Sequence, residues 1–111
     1  MKVPPHQFEA TVAFYGEVVG LEPLATEGPS RAFRFGAMCL WIDRCPQLSQ
    51  AEIWLELQCE DVAAATRHLV AHGAVRCDEI EPLPEGLRGA WIANPAGIVH
   101  LIAHHSEDPG L

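Results

Sequence analysis

Residues 14–21 read FYGEVVGL, and the way this stretch ends decides how the rest of the chain is read. Working backwards from it, Phe8, Thr11, Val12, Tyr15, Val18 and Val19 recur at the spacing of one face of a helix. Gly20 stands where a left-handed residue would end that helix. The pattern predicts one amphipathic helix over residues 7–19. Ahead of it, residues 1–4 suit a short first strand, limited by Pro4 and Pro5, which cannot donate to a ladder and so favour an edge.

Working forwards, residues 21–26 read as a strand, 27–30 (EGPS) as a turn, and 31–35 as a strand with Phe33 and Phe35 on one face. Residues 37–43 alternate Met38, Leu40 and Ile42 against Cys39, Trp41 and Asp43. The first row suits a face under a helix, which leaves Trp41 and Asp43 on the other side. After a loop over residues 44–50 the same order begins again. A strand over 52–58 places Ile53, Leu55 and Leu57 on one face and Trp54, Glu56 and Gln58 on the other. A helix over 61–72 carries Val62, Ala65, Thr66, Leu69 and Val70 as its apolar stripe, with Gly73 as its cap. A hairpin or loop over 83–89 and closing strands at 90–93 and 98–103 complete the unit. The chain thus spells β-α-β-β-β twice, as modules 1–45 and 50–105 of a single domain, 1–111. The expected fold class is α+β, with mixed sheets curling around a central cleft that would hold a small molecule.

Composition agrees with a globular chain. At 111 residues, 49% hydrophobic and 20% charged, it is long enough to bury a core without staples. Seven basic against fifteen acidic residues leave a net charge of -8, which argues against a nucleic-acid partner. The same charge favours the approach of a cationic ligand, but plain solubility is the first account of it, so charge alone is a weak hint of substrate. No apolar run reaches membrane length, and MKVPPHQFEA lacks the apolar centre of a secretory signal, so no membrane partner and a cytoplasmic location are expected. Cys39, Cys45, Cys59 and Cys77 show no CxxC spacing and read as buried reduced thiols. Metalloprotease, dinucleotide, P-loop and nucleophile-elbow motifs are absent. His68 and His72 have a helical spacing that can hold a metal, but their face is offset from the apolar stripe and reads as surface. His104-His105, followed by Ser106, Glu107 and Asp108, reads as solvated tail.

FYGEVVGL resembles the FYxxxLG-type helix end of the vicinal oxygen chelate superfamily, which includes glyoxalases, ring-cleaving dioxygenases and bleomycin-resistance proteins. Residues 94–102, NPAGIVHLI, resemble its DPDG turn and final strand, and Glu60-Asp61-Val62 with Gly73-Ala74 resemble its second helix. The resemblance covers almost the whole chain. It implies, for metal-dependent members, His or Glu ligands on the first and last strand of each module. Carried over, the first of these positions falls before Met1, and the others fall on Trp41 (or Leu40, if the register slips by one), Trp54 and Leu101. None of these side chains binds a divalent ion. Asp43, Glu56 and His100 are near, but a slip of one residue sends a strand side chain to the other face.

No metal, no cofactor and no catalytic residue are therefore expected. The resemblance is nearest to the metal-free, drug-sequestering bleomycin-resistance branch, which implies binding without turnover and a homodimer. The expected ligand-binding residues are Trp41, Trp54, Trp91 and Leu101, with Asp43, Glu56, Arg34 and Arg88 at the edges. Such a surface suits a planar or cationic compound. Two alternatives stand beside this reading: a metal-dependent lyase, isomerase or dioxygenase, and a regulatory module without a small ligand. Each tryptophan also reads as plain core filling.

Overall fold

The computed structural model describes residues 1–104, which divide into two compact units, one over Met1–Glu52 and one beginning at Ile53. The first unit runs β1 (Lys2–Val3), α1 (Pro5–Ala13), β2 (Pro23–Leu24), β3 (Arg31–Phe35) and β4 (Met38–Arg44). Its sheet has the order β1-β4-β3-β2, with β1 parallel to β4 and the other pairs antiparallel.

Helix α1 begins two residues earlier than its apolar pattern indicates, because Pro5 fits the first helical turn, where a missing N–H breaks no bond. Its far end changes pitch: Phe14–Val18 forms a π-helical turn in which the N–H of Val19 donates to the carbonyl of Phe14 at 2.9 Å. Gly16, inside that turn, lies against the core, where a Cβ would stand 3.2 Å from the Phe33 ring. Gly20 then ends the run at φ +81°. Val3, Phe8, Val12, Phe33 and Ile42 form the core, with Leu40 packed on it, so the inner part of the Met38, Leu40, Ile42 row does lie on the helix side. Phe35 shares that face but is 47% exposed at the end of the β3–β4 hairpin. The strand expected over residues 21–26 contracts to two residues, since β2 is an edge strand that opens with a proline.

The second unit repeats the plan with β5 (Leu55–Cys59), α2 (Val62–Ala71), β6 (Val75–Arg76), β7 (Gly89–Ala93) and β8 (Val99–His104), in the order β5-β8-β7-β6. Again the first and last strands are parallel. Asp61 caps α2, its Oδ1 accepting the N–H of Ala64 at 3.0 Å. Between β7 and β8, Asn94 Oδ1 accepts the N–H groups of Ala96 and Ile98, both at 2.9 Å, and Gly97 takes φ +80°. The hairpin or loop expected over residues 83–89 is a loop over 83–88 with no strand pairing, since Gly89 already pairs with Ala103 as the first residue of β7. The strand expected from residue 52 starts only at Leu55, because Glu52 instead exchanges two 2.9 Å backbone bonds with Lys2.

Trp91, Val99, Leu101 and Ala103 form a buried cluster, joined by Trp54, Cys77, Leu83 and Leu87 and by no residue of α2. Strand alternation sends Ala90, Ile92, His100 and Ile102 to the opposite face, where α2 packs on β7 and β8. Of the apolar stripe on α2 only Thr66 is buried, and Val70 is exposed. The row Ile53, Leu55, Leu57 is 55%, 44% and 49% exposed, since α2 packs over β7 and β8. The four cysteines are free thiols, but only Cys45 is fully buried. Among the described residues no helix is long and apolar enough to cross a membrane.

Candidate functional site

In the second unit the rings of Trp54 and Trp91 meet edge to face, 5.4 Å between centroids at 73°. Their meeting follows from the ladder. Glu56 pairs with Leu101, which pairs in turn with Trp91, so one row across β5, β8 and β7 carries all three on the same face. Trp54 precedes Glu56 by two residues and so shares that face. The sheet thus brings together four of the expected site residues. Trp91 and Leu101 are buried, Trp54 is half-buried and Glu56 is exposed. Glu56 Oε2 accepts from Gln58 Nε2 at 2.9 Å, and Gln58 lies one pair further along the same face. The indole Nε1–H of Trp91 is buried without a hydrogen-bond partner among the described residues.

The backbone of Trp91 is fixed from a direction that sequence reasoning missed. Its N–H donates to Asp78 Oδ1 at 3.1 Å, and its carbonyl accepts the N–H of Cys77 at 2.9 Å. Asp78 Oδ2 in turn accepts from Arg76 Nε at 2.7 Å. That Arg76 bond holds the Asp78 carboxyl below its usual range; slight burial opposes it, and the Trp91 N–H adds to it. The signal in the sequence was only an arginine and an aspartate two residues apart. Cys77 is not a poised nucleophile: burial, then the charges of Glu79 and Asp78, push its thiol up.

Trp41, Asp43 and Arg34 belong to the first unit. Trp41 is half-buried on β4, opposite Ala32. Asp43 stands beside Lys2 in the parallel β1–β4 pair, with Lys2 Nζ 2.8 Å from Asp43 Oδ2. Their side chains are 9% and 25% exposed. Burial alone would raise the Asp43 carboxyl, but hydrogen bonds from Lys2 and Ser30 and the Lys2 charge outweigh it and hold the group below the ordinary carboxylate range. Its charge is already matched within the chain. Arg34 is tied to Glu22, Nε to Oε2 at 3.1 Å, and both are exposed. Arg88 lies on the other side of the second sheet, lining a groove with Thr66, Arg67, Ala90 and His104. His104 ends β8, while His105 lies outside the described residues.

The donor chemistry of the positions that would carry a metal does not fit one. Trp41, Trp54 and Leu101 offer no lone pair to an ion, and the β1 residue paired beside Asp43 is Lys2, a cation. His100 uses Nδ1 on the carbonyl of Ile98 at 3.0 Å. Among the described residues no group of three His, Cys, Asp or Glu side chains is placed to hold a metal ion.

A family model described as a glyoxalase-like domain matches residues 3–102. Among solved structures, a glyoxalase-related enzyme from Fulvimarina pelagi is 21% identical, over 95% of this chain and 85% of that one, with a TM-score of 0.42. A glyoxalase/bleomycin resistance protein/dioxygenase family enzyme from Burkholderia phytofirmans is 16% identical over 94% of each chain, also at 0.42. A glyoxalase/bleomycin resistance protein from Albidiferax ferrireducens is 18% identical over 95% of each, again at 0.42. No curated protein matches the chain.

Proposed function

The chain belongs to the glyoxalase-like domain family, and from that premise we propose that it is a metal-independent binding protein that sequesters a planar, cationic small molecule. The observation that carries this reading is the Trp54–Trp91 pair beside Leu101, with the exposed carboxylate of Glu56 in the same cross-strand row. Aromatic faces and edges offer stacking and cation–π attraction, on the order of 1 kcal/mol each. A carboxylate beside them adds a charge-assisted contact of about 1.5–3 kcal/mol where water is displaced. Glu56 is the orienting group in this reading, because Asp43 already has Lys2 as its counter-ion. The unpartnered Trp91 Nε1–H supports a ligand that also carries an oxygen acceptor, since a buried donor left unpaired costs about 1–3 kcal/mol.

Pairing of two chains is part of the same proposal, and the uncovered Ile53, Leu55, Leu57 row supports it. Sedimentation of the purified protein reads it directly.

The function is tested by tryptophan-fluorescence titration with matched cationic, neutral and anionic aromatic compounds, alongside the metal content of protein purified without chelators. Tightest binding of the cation by metal-free protein is expected. Preference for the anion, or ligand binding that is lost when a chelator removes divalent metal, overturns the reading.

A further inference from the structure

On the exposed side of α2, the rings of His68 and His72 lie 4.5 Å apart between centroids, tilted by 41°. Both residues are exposed. The Nδ1 of His72 is 2.8 Å from the backbone carbonyl of His68. A carbonyl oxygen can only accept, so His72 Nδ1 carries a proton, and Nε2, on the opposite side of the ring, is the nitrogen left to bind an ion. This is the arrangement by which a backbone carbonyl sets the tautomer and orientation of a metal-binding histidine.

From this geometry we propose that His68 and His72 form a two-imidazole chelate for a divalent transition-metal ion of the nickel or copper class. The ring spacing is consistent with this class. With a metal–nitrogen bond of about 2.0–2.1 Å, an imidazole centroid sits roughly 3.2 Å from the ion it binds. Two such rings in adjacent positions of a square or octahedral ion are then about 4.5 Å apart, whereas a tetrahedral angle spreads them to about 5.2 Å. The observed separation is that of the square or octahedral case. Two further features favour a cation here. His68 lies in the last turn of α2 and His72 is its C-cap, where the helix dipole is negative, and the protein carries a net charge of -8. Water would fill the remaining coordination positions of the ion.

Isothermal titration of the full chain with nickel chloride tests this, against His68→Ala, His72→Ala and the double variant. All three should keep the fold, because the side chains are exposed and alanine favours a helix. The expected result is one equivalent of Ni²⁺, bound at least about tenfold more weakly once either imidazole is lost, because the second ligand acts at high effective concentration. The double variant should bind little more weakly than either single one, as a chelate requires. A rise in melting temperature with nickel, lost in both single variants, is the second readout. Equal affinity in the parent and the single variants, or small additive losses, would overturn the proposal. So would a zinc affinity above that for nickel, since the ring spacing is not tetrahedral.

Discussion

Asp78 reaches across to the strand that carries the site: its Oδ1 accepts the backbone N–H of Trp91 at 3.1 Å while its Oδ2 holds Arg76. The most buried aromatic ring of the Trp54–Trp91 pair therefore depends on a carboxylate thirteen residues earlier, in a short 3-10 turn. Asp78→Ala removes both bonds. With the carboxylate about half exposed, the expected loss is about 1–2 kcal/mol in urea unfolding, less than a fully buried charged hydrogen bond would give. Asp78→Asn keeps an acceptor for Trp91 and should lose less than half of that. Equal stability of Asp78→Ala and the parent would show that the strand holds Trp91 unaided.

Gly89 opens β7 at a point with no room for a side chain. A Cβ there would stand 2.9 Å from the carbonyl oxygen of Ile102 and 3.0 Å from Leu101 Cδ1, and backbone does not step aside as a side-chain tip does. Gly89→Ala should cost about 1–3 kcal/mol, as over-packing does elsewhere. Gly28 provides the control, because it has open space around it and no positive φ, so Gly28→Ala should stay within about 0.5 kcal/mol of the parent. Thermal melts of the two variants side by side make the comparison.

The repeat was legible because each module is punctuated by its own helix stripe, glycine cap and closing strands, and β3 over residues 31–35 matches the observed strand. Strand registers at β4 and β5 were legible too, since alternation places Trp41 opposite Leu40 and Trp54 with Glu56. What alternation cannot convey is how far a helix reaches across its sheet. The Ile53, Leu55, Leu57 row looks as apolar as the Leu40, Ile42 row, yet α2 leaves the first exposed while α1 buries much of the second. Nor can it show that Asp43 already has a counter-ion. Lys2 and Asp43 are forty-one positions apart in the chain and become neighbours only through the parallel β1–β4 pair. Asp78 was hidden for the same reason, because its partner is a backbone N–H that no side-chain pattern marks.

The Lys2–Asp43 pair makes stability depend on acid. A carboxyl whose folded-state pKa is lowered stabilises the fold above its unfolded value, about 4, and that contribution is lost as the pH falls through the folded value. Stability should therefore fall as the pH drops below about 4, and Asp43→Asn should flatten that limb of the profile. At neutral pH, Lys2→Met leaves Asp43 with Ser30 and the N-terminal ammonium but without its hydrogen-bonded cation, and should cost about 1–3 kcal/mol. Chemical denaturation at a series of pH values measures both. An unchanged acid limb in Asp43→Asn would move the effect to Asp78, whose carboxyl is lowered in the same direction.

Glu56 and Trp54 should separate in their effects on a ligand, because one supplies charge and the other contact area. Trp54→Ala removes the half-buried partner of Trp91 and should weaken cationic and neutral aromatic ligands alike, by about tenfold, the equivalent of roughly 1.4 kcal/mol of stacking. Glu56→Gln keeps the shape and the capacity to accept from Gln58, and should weaken only the cation. Part of the Glu56 attraction acts at long range, so the parent protein should bind the cation more slowly as salt rises, while a neutral analogue shows little change. In Glu56→Gln the salt dependence should shrink toward what the remaining net charge produces. Stopped-flow tryptophan fluorescence at two salt concentrations measures both rates, and a cation whose affinity and salt dependence survive Glu56→Gln would place the charge contact on a different carboxylate.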